Sequence, residues 1–282
     1  MVYNAVFVVA SAPALGEPWP DARVRMPLYT AEALILRTYK LGEADRIVVF
    51  LTRDRGKRRG VARGARRPRS RFTGALEPLT RVGVAYFESE RRELVSLNYA
   101  EAERSPLASP DPAACVYAEY FAELIDESAP EGDPSETLFR LGASTLDALA
   151  AGAPARPLAR YFECWLLRLQ GVYPPYRACG RCGRALDEPA GGGAGLVLAE
   201  SCFVCRRCLE SATPRPGTVG PLLSTEAVRF IHCAAAVGPE RVAELMLGPG
   251  AGRELELVHR ALLTAHFERE PRSVRVLKDM GQ

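Results

Sequence analysis

The sequence predicts an α+β protein: an N-terminal five-stranded β-barrel followed by an all-helical domain that a cysteine-rich insertion interrupts. Three observations predict it. Short strand-like runs with turn signals fill residues 29–104, helical periodicity takes over after Ser109, and five cysteines cluster at 179–208 between two helical stretches. Of the 282 residues 48% are apolar and 25% charged, which supports a buried core and excludes a disordered, collagen-like or coiled-coil chain. No apolar run reaches the roughly 18–20 residues that span a bilayer.

Residues 1–28 read as an extension ahead of the fold. Their apolar stretch ends in Ala10-Ser11-Ala12, which resembles a leader cleavage site, yet no Lys or Arg precedes it as a secretory leader requires. Translation from Met26 is the favoured reading, because regular pattern begins only at Tyr29.

The barrel is assigned to 29–104. Ala33–Tyr39 is its first strand and Leu41-Gly42-Glu43-Ala44 a turn; Arg46–Thr52 is the second strand. Asp54-Arg55-Gly56 turns the chain into a third, around Lys57–Arg63. Val82–Phe87 and Leu94–Tyr99 supply the fourth and fifth, with a charged Glu88–Glu93 turn between them. Five short strands with the longest gap after the third fit a barrel of the OB type; an SH3-like barrel is the nearest competitor.

The helical domain is split into 105–176 and 213–272 by the insertion at 177–212, and 273–282 is assigned to a tail that frays. Val116, Tyr120 and Leu124 mark a helix after Pro112. Asp133 is read as an N-cap, with Pro134 at the first helical position and Glu136 three after the cap; Leu138, Leu141, Thr145 and Leu149 follow at helical spacing. Leu158, Tyr161, Phe162, Trp165, Leu166 and Leu169 form an apolar stripe ending at Gly171 and Pro174-Pro175. Later helices are expected at 225–237, capped by Ser224, and at 251–269, with Gly191–Gly195 a flexible loop.

Net charge is only +3, but it is unevenly spread. Residues 31–104 hold 17 basic and 10 acidic residues, hence +7, whereas 105–282 hold 18 and 22, hence −4. Within the barrel, 53–71 carry ten Lys or Arg against one Asp. Such a strip is the electrostatic footprint of a polyanion, and arginine suits bidentate phosphate contact. A solvated loop or a targeting tract is the bland reading; the strip lies inside a strand pattern rather than in a tail, so nucleic-acid contact is preferred. The candidate contacts are Arg55, Lys57, Arg59, Arg63, Arg66, Arg67, Arg69 and Arg71. Lys57, Arg59 and Arg63 share one strand face and Arg58 lies on the other. Phe72 beside them either stacks on a base or packs the core.

Cys179-x2-Cys182 is followed by Cys202, Cys205 and Cys208, each two residues from the next. Two facing CxxC turns supply four thiolates for tetrahedral zinc, with Gly180 and Gly183 easing the first. Such a site is closed and structural. By spacing alone the second pair is either 202/205 or 205/208; a redox pair, or cysteines without metal, are the other readings. Cys115, Cys164 and Cys233 read as small buried hydrophobes. The three histidines, His232, His259 and His266, read as packed or rim residues rather than bases. With no phosphate-binding glycine loop, no G-x-S-x-G and no credible acidic pair, a binding protein is preferred over an enzyme.

The arrangement resembles the RecO family of bacterial recombination mediators. The resemblance rests on Ala33-Leu34-Ile35-Leu36-Arg37, on Gly-Glu-Ala-Asp-Arg at 42–46, on the stretch Gly64–Phe72, on Leu76-Glu77-Pro78-Leu79, and on Leu169–Pro174 leading to Cys179-x2-Cys182-Gly183. It covers about residues 29–270 in order. The resemblance places Cys202 at a usual glycine position and so implies Cys179, Cys182, Cys205 and Cys208 as ligands of one structural Zn2+. It departs from the family in residues 1–25 and in the long glycine-rich loop before Cys202. It further implies a cytoplasmic, nucleoid-associated protein, monomeric alone, that binds single- and double-stranded DNA and anneals complementary strands. Such a protein engages the C-terminal tail of single-strand-binding protein (SSB), and with RecR helps load RecA onto SSB-coated strands, with RecF associated. The competing class is an RNA-binding zinc protein of the translation apparatus, for which the sequence offers no RNP-type aromatic pair.

Overall fold

A computed structural model describes residues 27–89, 93–187, 193–211 and 220–280. The expectation that translation starts at Met26 falls on a segment outside them.

Five strands close the barrel: β1 (Leu28–Leu41), β2 (Asp45–Thr52), β3 (Gly56–Ala62), β4 (Arg81–Phe87) and β5 (Val95–Arg104). Their order around it is β1-β2-β3-β5-β4, antiparallel except for the parallel β3–β5 pair, which is OB topology. The runs Ala33–Leu36 and Val48–Leu51 are apolar without alternation because these strands are buried on both faces. Ala33, Ile35, Val48 and Phe50 fill the barrel with Val82, Val84, Tyr86 and Leu97. Leu34, Leu36, Val49 and Leu51 point outward into the helical core. The segment 63–80 plugs one barrel end with Phe72, Ala75 and Leu76. Phe72 is only 2% exposed, so of its two readings the core one holds.

The helices are α1 (Ala114–Ser128), α2 (Glu136–Ala150), α3 (Ala155–Leu169), the one-turn α4 (Arg206–Glu210), α5 (Thr225–Ala234), α6 (Pro249–Phe267) and α7 (Ser273–Met280). Three strands, β6 (Ala194–Val197), β7 (Cys202–Cys205) and β8 (Leu222–Leu223), form a second small sheet with β6 in the middle.

Ion pairs frame the seam between barrel and helices. Arg37 and Lys57 meet Asp126 of α1 at 2.6 and 3.3 Å. Arg53 reaches Glu136, and Arg81 and Arg104 share Asp147 of α2.

Three local expectations are corrected. The N-cap of α2 is Ser135 rather than Asp133, and its side chain makes no capping bond. Residues 131–133 are instead held against the barrel: the Glu131 backbone forms an isolated parallel β-bridge with that of Lys57, and Gly132 N–H donates to the Lys57 carbonyl. Gly56, at φ +70°, lets that segment in; a Cβ there would lie 2.1 Å from the Asp133 carbonyl oxygen. Ala194 and Gly195 of the supposed flexible loop are strand, because β6 has partners on both sides, Cys205 and Val204 opposite and Leu223 and Leu222 behind. The supposed frayed end is α7, packed on α1 through the buried Val274. Its N-terminus is fixed by the Glu123 carboxylate, which accepts from the backbone N–H of Arg272 and Ser273.

Candidate nucleic-acid interface and metal centre

The basic strip divides in two. Residues 53–58 are occupied within the molecule. Lys57 is tied to Asp126, donating also to its carbonyl at 2.7 Å, so its side chain is 13% exposed. Arg55 lies 3.8 Å over the Tyr29 ring and faces Glu88, which also holds Arg58 at 3.4 Å. Arg55 and Lys57 therefore do not join the other candidates. β3 points Lys57 outward at the register of Leu51, where α1 covers the barrel.

Beyond this point the arginines are free. Arg59, Arg63, Arg66, Arg67, Arg69 and Arg71 are all exposed, and none forms an ion pair with a described residue. Arg59 lies on the outer face of β3, opposite Val49. Arg63 is one residue past the strand, and the remaining four ride on the plug that closes the barrel end. The plug is anchored to the β1–β2 turn: Arg66 N–H donates to the Ala44 carbonyl at 2.9 Å, Arg66 Nη1 to the Gly42 carbonyl at 2.8 Å, and Gly64 N–H to Asp45 Oδ1 at 2.8 Å. Asp45, the nearby carboxylate, is thus engaged by backbone. Arg63, Arg66, Arg67, Arg69 and Arg71 thus crowd the plugged barrel end with Arg59 on the adjoining wall, and with no described carboxylate paired to any of the six the local field favours anions.

The cysteine cluster assembles as expected from the resemblance. The Sγ atoms of Cys179, Cys182, Cys205 and Cys208 all lie within 4.8 Å of one another. Tetrahedral thiolates at a Zn–S distance of about 2.3 Å stand about 3.8 Å apart, and Cys182 Sγ is 3.7 Å from Cys205 Sγ. Electrostatics agree with this fit. Burial pushes the Cys179 thiol up, but backbone N–H groups of Cys205, Cys182 and Arg181 aimed at it bring it down to about 6. Hydrogen bonds from Cys208 to the neighbouring thiols push it up to about 12. Four thiols this close cannot all ionise without a cation, and the donor set suits a divalent thiophilic one.

Cys202 stands outside. Its Sγ lies 3.7 Å from Glu200 Oε2, and burial together with that carboxylate pushes the thiol up. Gly180 serves this neighbour rather than a turn: a Cβ there would be 2.7 Å from Cys202 Sγ. Arg181 ties the two knuckles together, donating to Glu200 at 2.6 Å and to the Cys208 carbonyl at 3.2 Å. Metal analysis is expected to give about one ion per chain. Cys179→Ser or Cys208→Ser should lose it and expose 177–210 to protease, while Cys202→Ser should keep it. Metal retained by Cys208→Ser and lost by Cys202→Ser would reverse the ligand assignment.

Two of the isolated cysteines depart from expectation. Cys164 is fully buried, which pushes its thiol to about 12, but Cys115 and Cys233 are exposed, standing off the apolar stripes of α1 and α5.

Sequence reasoning missed a buried polar network. Glu163 of α3 accepts from Tyr120 at 2.6 Å and from Arg160 at 2.7 Å, and its other oxygen accepts from His259 Nδ1 at 2.9 Å. Burial lowers the His259 pKa, so the ring is neutral and its Nε2 accepts from the Tyr173 hydroxyl at 2.9 Å. Tyr173 opens the segment leading to the metal knuckles and packs against Phe203 of β7. The signal was available: Arg160 and Glu163 interrupt an apolar helical stripe at i and i+3.

Comparison with known proteins adds an independent line. Residues 26–106 match the family model described as Recombination protein O N terminal, and 109–275 match Recombination protein O C terminal. The chain is 35% identical over 264 residues to the DNA repair protein RecO of Desulforudis audaxviator, covering 91% of this chain and 98% of the relative. It is also 35% identical over 251 residues to that of Anaeromyxobacter sp. strain K, covering 88% and 95%. A shorter match to the DNA repair protein RecO of Koribacter versatilis is 42% identical over 164 residues, 58% of this chain and 67% of the relative. No helix among the described residues is long and apolar enough to cross a membrane.

Proposed function

The chain belongs to the RecO family of DNA repair proteins, and from that premise we propose that it is a non-enzymatic mediator of DNA repair and recombination that binds single- and double-stranded DNA and anneals complementary strands. The observation that carries the reading is the set of six exposed arginines, five at the plugged barrel end and Arg59 on the adjoining wall, none in an ion pair with a described residue. Annealing is opposed by repulsion between two phosphate backbones. A surface that displaces their counterions and holds both strands lowers that repulsion without reading sequence. Arg59, Arg63, Arg66, Arg67, Arg69 and Arg71 are the proposed contacts; Arg55 and Lys57 instead hold the barrel's own architecture.

Within this reading the cysteine centre holds one structural Zn2+ through Cys179, Cys182, Cys205 and Cys208. Zinc would tie the two knuckles of the 177–212 insertion together. The protein acts in the cytoplasm, as a monomer until it meets RecR. It engages the SSB tail and, with RecR, promotes RecA loading onto SSB-coated strands, with RecF associated. Family membership supports these partners.

An annealing assay on complementary oligonucleotides, with and without SSB, tests the proposal. The protein should speed annealing of bare strands well above the uncatalysed rate and remain active on SSB-coated ones. Failure to anneal either substrate while still binding DNA would reduce it to a binding protein and remove the mediator role.

A further inference from the structure

The β1–β2 hairpin holds a charge arrangement that the fold itself does not need. Lys40 and Arg46 are direct cross-strand partners, so their side chains leave the same face of the hairpin. Like charges placed directly opposite each other destabilise a strand pair. Neither residue forms an ion pair with a described carboxylate. Asp45 accepts the Gly64 N–H, and Glu43 in the turn forms no ion pair with a described cation.

The register places this pair at the mouth of the barrel. Thr38 pairs with Val48, which faces the core, and Lys40–Arg46 is the next pair of the same parity, with Ala62 of β3 beside Arg46. Lys40 is exposed and Arg46 half-buried. The plug returns to this tip through the Arg66 bonds to Gly42 and Ala44, which brings Arg63, Arg66 and Arg67 alongside. Five cations from three separate segments therefore converge at one barrel end, and two of them lie outside the basic strip.

We propose that Lys40 and Arg46 clamp a single phosphodiester of a bound nucleic-acid strand, extending the strip's track across the tip of the β1–β2 hairpin. This rests on the DNA-binding reading above. An anionic oxygen between the two side chains relieves their repulsion, so the bound state recovers what the free hairpin loses. Arg46 supplies a planar fork and Lys40 a mobile point charge, a combination that grips one phosphate without reading a base.

The test uses the full chain and an oligo-dT of about 16 nucleotides, titrated across a salt series. Lys40→Ala and Arg46→Ala should each weaken binding about five- to tenfold at 0.1 M salt and reduce the magnitude of the log–log salt slope by about 0.7, one phosphate's worth. Melting temperature should hold or rise, because each change removes one of two repelling charges. Arg46→Glu should separate the two readouts furthest, raising Tm by about 1–3 °C at low salt through pairing with Lys40 while weakening binding more than Arg46→Ala. Unchanged affinity in both alanine variants overturns the clamp. So does an affinity loss that appears only together with a lower Tm. If the clamp variants bind normally but alanines at Arg66, Arg67, Arg69 and Arg71 abolish binding, the clamp alone falls. If that fourfold variant also binds normally, the DNA-binding reading of the barrel end falls with it.

Discussion

Alanine at Arg66, Arg67, Arg69 and Arg71 together is expected to flatten the salt dependence of DNA binding. Each phosphate contact on a single strand adds roughly −0.7 to the slope of log affinity against log salt. Six exposed arginines contribute about −4 to the slope, of which the two that remain, Arg59 and Arg63, contribute about −1.4. Affinity at low salt should fall by about two orders of magnitude or more, and equally for unrelated base sequences, since phosphates carry no sequence information. Annealing should fall with it. Metal content and melting temperature should stay near those of the unaltered chain. Among the described residues these side chains bear on the fold through the Arg66 bond to Gly42 and the Arg71 contact, 5.1 Å over the Phe72 ring. Filter binding across a salt series decides the matter. An unchanged slope would move the DNA site off this barrel end.

The largest expected loss of stability comes from Glu163→Ala. Glu163 and His259 are 1% and 0% exposed and Arg160 only 6%. The substitution leaves the buried Arg160 guanidinium with Glu256, at 3.6 Å, as its remaining described carboxylate partner. It also orphans the Tyr120 hydroxyl and His259 Nδ1. Breaking a buried ion pair from one side costs about 3–5 kcal/mol, read as a lower urea midpoint at unchanged m-value. Glu163→Gln should cost less, because an amide oxygen still accepts. A loss below about 1 kcal/mol for Glu163→Ala would mean that water already reaches the network.

The same network gives stability a pH dependence. Burial holds the His259 pKa below its unfolded value of about 6.5. In the window just below that value the unfolded chain binds a proton that the folded chain does not, so stability falls as pH drops through it. The urea midpoint should decline from pH 7.5 towards 5.5, and His259→Gln should flatten that decline.

The five barrel strands were legible because the two-sided burial of β1 and β2 writes continuous apolar runs and the Asp54–Gly56 turn punctuates them, whereas the order β1-β2-β3-β5-β4 emerged only in the structure. The metal knuckles were legible because ligand spacing is a local property, although spacing alone could not choose between Cys202 and Cys208. That choice is made in space, where Cys202 turns to Glu200 on the other side of Gly180.

Sequence by itself therefore determined the fold class, the paired-cysteine centre and the presence of a cationic strip, since each depends on periodicity or composition within a few residues. Tertiary structure alone decided which cations are free. Arg55 and Lys57 look like Arg59 and Arg63 in one dimension, but Glu88, 33 residues from Arg55, claims it when the barrel closes, and Asp126, 69 residues from Lys57, claims that one when α1 packs on the barrel. It also decided that residues 273–280 form α7, which is stable only where Glu123 of α1 receives its first N–H groups and Val274 finds the core. A short amphipathic helix has little stability of its own, so only its docking site could reveal it.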